Sequence, residues 1–300
     1  MKKWFAALPP LLAACMLSLG SSASAAGWTD YRLVAHALGG IDQKPYTNSY
    51  EAFVTNYEKG QRVFEIDLQF TSDGCLVGRH DWSLYAFQSL GQPVSADMTG
   101  GPLPLDRMRS LTMFDQYHLL TFGDIVDIMH EYPDAYFVTD TKSTDSDTVT
   151  AQFNQIVELL NEDPHILKRI IPQIYNEKMY GVIERVFPFE SYIYTLYQTA
   201  DSNQKVLQYV KSRPKVTAVT MPEWRATSGF LSGLKQMGKR SFVHTINSPE
   251  AMDKYKAKGV YGFYTDFVTP EDLRRYAAKK AQQGAAKTAK AALPKPDKRT

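Results

Sequence analysis

The sequence predicts an α/β protein, a (β/α)8 TIM barrel with an inserted loop region after the second strand. Three observations carry that expectation. Short apolar runs alternate with longer amphipathic stretches from about residue 30 to residue 276. The runs number eight, and helical patterns fall between most of them. The chain has 300 residues, enough for one large core.

The candidate strands are 32–37, 63–70, 135–141, 170–174, 192–197, 216–221, 241–245 and 262–265. Helical patterns fall at 49–59, 121–131, 147–160, 177–186, 202–211, 229–236 and 249–258. One further run, 76–80, follows 63–70 across Thr71-Ser72-Asp73-Gly74. Asp-Gly favours a tight hairpin turn, and so tight a turn cannot make a parallel crossover. This run is therefore expected to pair antiparallel at one end of the barrel. Residues 82–119 form a long insertion rich in Gly, Pro and Met, a length at which lids and binding loops are common. Asn48 with Glu51 has the pattern of an N-cap and capping box for the helix at 49–59. Gly39 and Gly40 read as turn glycines after the first strand.

The flanks differ from this body. Residues 1–26 read as a signal peptide. Lys2 and Lys3 open it, an apolar stretch at 4–19 is broken by Pro9 and Pro10, and Ala23-Ser24-Ala25 fits a signal-peptidase site. The expectation is an exported domain at 27–277, periplasmic or secreted. Leu12-Ala13-Ala14-Cys15 offers a second reading, a lipoprotein anchored through Cys15. The other cysteine is Cys75; without Cys15 no intramolecular disulfide can form, and Cys75 reads as a small packed residue. The tail at 278–300 is Ala, Lys, Gln and Pro without an apolar period and is expected to be disordered. Its lysines leave two readings open, a solvated tail or peripheral contact with an anionic membrane or envelope surface. The formal net charge of +2 excludes a strongly basic nucleic-acid binder, and leader and tail account for the positive excess.

The chemistry concentrates at the ends of the runs. Glu65 and Asp67 are two apart on one run, so they share a face. Two carboxylates facing one barrel interior resist burial unless a cation neutralises them; solvent-facing strand residues are the alternative. Oxygen ligands suit Mg²⁺ or Ca²⁺ and do not separate the two. Asp140 and Lys142 repeat the spacing. Asp140 is a candidate third ligand and Lys142 a point charge for a phosphate oxygen, or the two form a structural ion pair. His36 and His80 each end a run, where barrel active sites lie, and two imidazoles suit acid–base work near neutral pH. Gln173, Tyr175, Tyr197, Trp224, Arg225 and His244 sit where they can shape a pocket, and Trp82 is placed to cover the metal.

The succession of His36, Glu65-x-Asp67, Thr71-Ser72-Asp73-Gly74, His80-Asp81 and Asp140-x-Lys142 resembles the glycerophosphodiester phosphodiesterase family. The last two runs, with Ser241-Phe242-Val243-His244-Thr245-Ile246-Asn247 and Gly262-Phe263-Tyr264-Thr265-Asp266, extend the resemblance over about residues 30–270. It also fits the wider barrel superfamily of phosphatidylinositol phospholipase C-like and sphingomyelinase D-like enzymes. The resemblance implies one divalent cation, Mg²⁺ or Ca²⁺, on Glu65, Asp67 and Asp140. It implies His36 and His80 as the acid–base pair, Lys142 on the phosphate, and a small phosphodiester or lipid head group as substrate. Water or a neighbouring substrate hydroxyl would attack, the latter giving a cyclic phosphate first. Three positions depart from the family: Ala37 stands where an Arg is usual, Thr47-Asn48-Ser49 replaces Glu-Asn-Thr, and Asp140 replaces Glu. The readings are thus an exported metal-dependent phosphodiesterase, a phospholipase C- or D-like lipid enzyme, or a non-catalytic binder of phosphodiesters or envelope polymers. Both histidines and all three acids are present, which favours an enzyme, since binding alone needs no acid–base pair.

Overall fold

Eight runs form strands that pair in parallel and close on themselves. In the computed structural model, which describes residues 27–96, 98–161 and 163–291, these are β1 (Leu33–Ala35), β2 (Val63–Phe70), β4 (Tyr136–Asp140), β5 (Ile170–Ile174), β6 (Tyr192–Thr195), β7 (Val216–Pro222), β8 (Arg240–His244) and β9 (Gly262–Thr265). Each pairs with its sequence neighbour, and β1 bonds to both β2 and β9, which closes the barrel. The remaining strand, β3 (Leu76–Gly78), pairs antiparallel with β2, Leu68 opposite Gly78 and Phe70 opposite Leu76. The hairpin expectation therefore holds. The leader, with Cys15 and the proposed cleavage site, lies outside the described residues.

Alternation along each strand makes two cores. Residues facing the helices form the larger one: Phe53 of the helix Tyr50–Glu58 packs on Phe64 at 4.5 Å and Phe137 at 5.8 Å. Residues facing inward form a smaller one from Val34, Val63, Val138, Ile171, Ile193, Ala218 and Phe242. Trp28 stacks on Phe242 and donates its indole N–H to Ser191 Oγ at 2.8 Å, plugging the N-terminal mouth. Two residues further along the same strand paths, at the C-terminal mouth, the inward positions become His36, Glu65, Asp140, Gln173, Thr195, Thr220 and His244. The barrel interior thus changes from apolar to polar within one side-chain layer.

The insertion at 82–119 is more ordered than a loop region. It carries two short helices, Leu84–Ser89 and Leu105–Arg109, over a core of Val77, Trp82, Phe87, Met98, Met108 and Leu111. The turn glycines are fixed by close approach. A Cβ on Gly40 would lie 2.2 Å from the Phe267 ring, and one on Gly39, at φ 89°, would lie 2.3 Å from Asn56 Nδ2.

Two expectations need correction. Residues 278–291 are not disordered: the helix Pro270–Ala291 runs through them. Ala, Lys and Gln are good helix formers without an apolar stripe, and Lys280 pairs with Asp253 at 2.7 Å. Residues 292–300 lie outside the described residues. Asn48 does not cap the helix Tyr50–Glu58; Ser49 does, accepting from Ala52 N–H at 3.3 Å. Asn48 instead turns into the barrel mouth.

Candidate active site

Glu65 and Asp67 project from β2 with almost no exposure, and Asp140 joins them from the end of β4, which lies beside β2 with Asp67 opposite Asp140. One ligand atom from each falls within 4.8 Å of the others. Their surroundings differ. Glu65 Oε2 accepts from the Ala37 amide at 2.7 Å, and Oε1 is buried with no hydrogen-bond partner. Burial, with the Asp67 charge next, pushes the Glu65 carboxyl up to about 8. Asp67 Oδ2 accepts from Asn48 Nδ2 at 2.9 Å, and its amide donates back to Asn48 Oδ1 at 3.1 Å. Burial alone would raise Asp67; Lys142, then His80 and His36, outweigh it and hold it at about 2. Asp140 accepts from the Tyr175 hydroxyl, and burial raises its carboxyl.

Lys142 Nζ lies 2.6 Å from both Asp67 Oδ1 and Asp140 Oδ2. Burial disfavours its charge, but Asp67, Asp140 and Glu65 hold its pKa well above the ordinary lysine value. The ion-pair reading of Asp140 and Lys142 is therefore realised, and it does not exclude a metal. Three converging carboxylates with one orphaned oxygen carry more negative charge than a single ammonium balances. An all-oxygen donor set fits Mg²⁺ or Ca²⁺. Occupation of that set needs the Glu65 proton removed. Cation affinity is expected to rise about tenfold per pH unit up to about 8 and then level off. Calorimetric titration with Ca²⁺ in buffers of different ionisation enthalpy reads the released proton directly. Glu65→Gln should weaken binding and abolish that pH dependence; unchanged affinity would remove Glu65 from the ligand set.

His36 sits at the rim of this cluster, its Nε2 4.0 Å from Glu65 Oε2. Its Nδ1 bonds Asp266 Oδ1 at 2.8 Å, and Asp266 is held by Asn247 Nδ2 at 2.7 Å on the other oxygen. Burial would lower the His36 pKa, but the Asp266 bond and the Glu65 and Asp67 charges raise it to about 9. His80 lies further out and is 44 % exposed, with Nδ1 on Asp81 Oδ2 at 2.8 Å. The Tyr46 ring stands edge-on to both imidazoles, its centroid 4.9 Å from His36 and 5.4 Å from His80.

A cleft of about 450 Å³ opens above the acids, lined by His36, Tyr46, Gln69, His80, Lys142 and Tyr197 among others. A narrower space of about 50 Å³ continues into the barrel past Glu65, Gln173, Thr220 and His244. Burial, reinforced by His36 and Lys142, lowers His244 to about 4, so it is a neutral imidazole in that wall.

The structure thus brings together His36, His80, Lys142, Glu65, Asp67, Asp140, Gln173, Tyr197 and His244. Three expected pocket residues stay apart. Trp82 does not cover the acids: it packs on Phe87 in the insertion core and edges a neighbouring groove that shares Gln69 and Lys142 with the cleft. Trp224 is 78 % exposed beside Arg225, and Arg225 itself is spent on holding the loop after β6 through Leu196, Thr199 and Asp201 carbonyls. Four contributors were missed as site residues: Asn48, Tyr46, Asn247 and Asp266. Asp266 directly follows β9 as Asp140 ends β4, so the strand-end rule marks it. Tyr46 and Asn48 have φ of 65° and 46°, a loop geometry that periodicity does not reveal.

No curated protein matches the sequence. Solved structures do match the fold. A glycerophosphodiester phosphodiesterase from Parabacteroides distasonis superposes with TM-score 0.65 at 18% identity, covering 84% of this chain and 98% of that one. An Oleispira antarctica phosphodiesterase in complex with the product sn-glycerol-3-phosphate gives 0.65 at 15%, over 83% and 97%. A Thermotoga maritima glycerophosphodiester phosphodiesterase gives 0.59 at 18%, over 82% and 97%. At these identities the likeness speaks to the barrel alone. The sequence itself matches the Glycerophosphoryl diester phosphodiesterase family over residues 39–269, most of the barrel, and so the chain belongs to that family and is a phosphoric diester hydrolase.

Proposed function

We propose that this protein is an exported, metal-dependent phosphodiesterase that cleaves glycerophosphodiesters by histidine acid–base catalysis. The observation that carries the proposal is the convergence of the Glu65, Asp67 and Asp140 carboxylates with His36, His80 and Lys142 at one barrel mouth. A divalent cation on those carboxylates would supply Lewis-acid polarisation of a phosphoryl oxygen. Lys142 neutralises a second phosphoryl oxygen. His36, oriented by Asp266, takes the proton of the attacking hydroxyl; the share of its raised pKa that Glu65 and Asp67 contribute is relieved once those acids are neutralised, while the Asp266 bond remains. His80, at the exposed rim and braced by Asp81, gives a proton to the alcohol that departs toward solvent.

The test is turnover of bis(p-nitrophenyl) phosphate and a panel of glycerophosphodiesters by the purified mature chain with Mg²⁺, Ca²⁺ or EDTA. Release that needs the metal and ends in EDTA is expected. Cation binding without turnover of any diester would refute the proposal in favour of a binding protein. Export rests on residues 1–26: protein recovered from its source is expected to start at Ala26 or Gly27, just past Ala23-Ser24-Ala25. An intact Met1 would remove export, and a lipidated Cys15 would replace secretion with anchoring.

A further inference from the structure

Beyond His80 the cleft continues into a second cavity of about 280 Å³ whose wall includes Tyr46, Arg79, His80, Asp81, Tyr85 and Leu90. It shares Tyr46, His80 and Asp81 with the catalytic cleft, while Asp140 and Lys142 do not line it. Its wall is mostly apolar and carries two charged side chains. Asp81 is held by His80 Nδ1 and the Ser83 amide, and Arg79 is the cation. Arg79 follows β3, and its amide donates to Asp67 O at 3.0 Å, which fixes its backbone against β2. His80 lines the cleft, and Arg79 packs under the insertion against Trp82 and Phe87.

Arg79 is 2 % exposed. Its guanidinium lies 4.0 Å from the Phe87 ring centroid and 5.1 Å from that of Trp82. Nη1 donates to Gln92 Oε1 at 3.1 Å, and Gln92 is in turn anchored on Leu111 O. Nε and Nη2 are buried with no hydrogen-bond partner, and among the described residues no carboxylate forms an ion pair with it. Asp81 acts on it only without direct pairing, and a buried guanidinium with no paired carboxylate is costly. Two aromatic faces offset part of that cost, but they leave two N–H donors in a fork suited to an oxyanion.

We infer that this cavity is a second substrate subsite, taking a head group that carries its own carboxylate or phosphate, with Arg79 as the counter-charge. The inference rests on the proposed function. It deepens it by assigning the leaving-group side of the cleft, where His80 meets the departing alcohol. Tyr46 and Tyr85 flank the body of the head group while its terminal anion reaches Arg79.

Two matched pairs of substrates test it. Glycerophosphoserine differs from glycerophosphoethanolamine by one carboxylate, and glycerophosphoglycerophosphate from glycerophosphoglycerol by one phosphate. The wild type is expected to favour the anion-bearing member of at least one pair by tenfold or more in kcat/KM, and the favoured pair tells carboxylate from phosphate. Arg79→Gln should reduce the preference to within about twofold. Tyr85→Glu, on a side chain 76 % exposed and therefore harmless to folding, should do the same by placing a repelling charge at the cavity mouth; it decides the matter if Arg79→Gln does not fold. No preference in the wild type, or one that survives the variants, overturns the subsite. If no diester in either pair is turned over, the proposed function fails separately, and the same pairs are read by equilibrium binding. An anion preference lost in the variants supports the subsite, and equal or absent binding within both pairs overturns it.

Discussion

Replacing His36 with alanine lowers kcat by about a hundredfold to ten-thousandfold, equivalent to about 3–5 kcal/mol of transition-state free energy, while the fold stays intact. The side chain packs little: its contacts are Asp266, Tyr46 and the edge of the acid cluster, at 15 % exposure. Removing it deletes a proton acceptor and leaves the barrel layers in place. Circular dichroism should be unchanged. Asp266→Asn is the sharper companion, because Asp266 lines neither the cleft nor the space below it and bonds His36. The Asp266 bond is the largest of the influences that raise the His36 pKa. A base is active when deprotonated, so activity rises with pH through its pKa. Losing Asp266 lowers that pKa and moves the acidic limb of the pH–rate profile to lower pH, with a fall in kcat because the ring is no longer oriented. A purely structural Asp266 would lower stability and leave the limb where it was. Wild-type kcat in His36→Ala would remove the histidine from the chemistry.

Much of this site can be read along the strands before any tertiary contact is known. Strand geometry puts residues two apart on one side, so Val63 followed by Glu65, Val138 by Asp140 and Ile171 by Gln173 announce an interior that changes from apolar to polar. The hairpin was legible because Asp73-Gly74 is a local signal, and Gly74 takes φ 83°. What stayed hidden depends on chain segments meeting from far apart. Asn48 has the composition of a cap, and only the meeting of its loop with β2 shows it bonding both the amide and carboxylate of Asp67. Trp82 follows His80-Asp81 and looks poised over a metal, but the insertion builds its own core and takes the indole with it. Ala37 stands where the family carries Arg; in this fold it is fully buried at φ 51°, and its amide rather than a side chain serves the site by holding Glu65. The C-terminal end of the last helix escaped because 278–291 has helix propensity but no large apolar residue at helical spacing.

Lys142→Met should destabilise the metal-free protein by about 3–5 kcal/mol, since it strips from three buried carboxylates the one ammonium that pairs with them among the described residues. For a barrel of this size that is a fall in Tm on the order of 10 °C. The loss should depend on pH, and its sign follows from Glu65. Its folded pKa is raised to about 8 from an ordinary 4.5, so the native state binds the extra proton between those values, and metal-free stability falls as pH rises through that window. Without Lys142 the carboxylate repulsion is larger and the fall steeper. Ca²⁺ should reverse both effects, and its stabilising shift should be larger in the variant, because an ammonium no longer competes for Asp67 and Asp140. Turnover should stay low even with the cation saturating, because the charge facing the phosphate is gone. Scanning calorimetry in EDTA and in Ca²⁺, at pH 6 and pH 9, separates these outcomes. Equal midpoints for wild type and variant in EDTA would mean that the carboxylates are already neutral without Lys142. A variant that Ca²⁺ stabilises no more than the wild type would mean that the ammonium and the cation do not share a place.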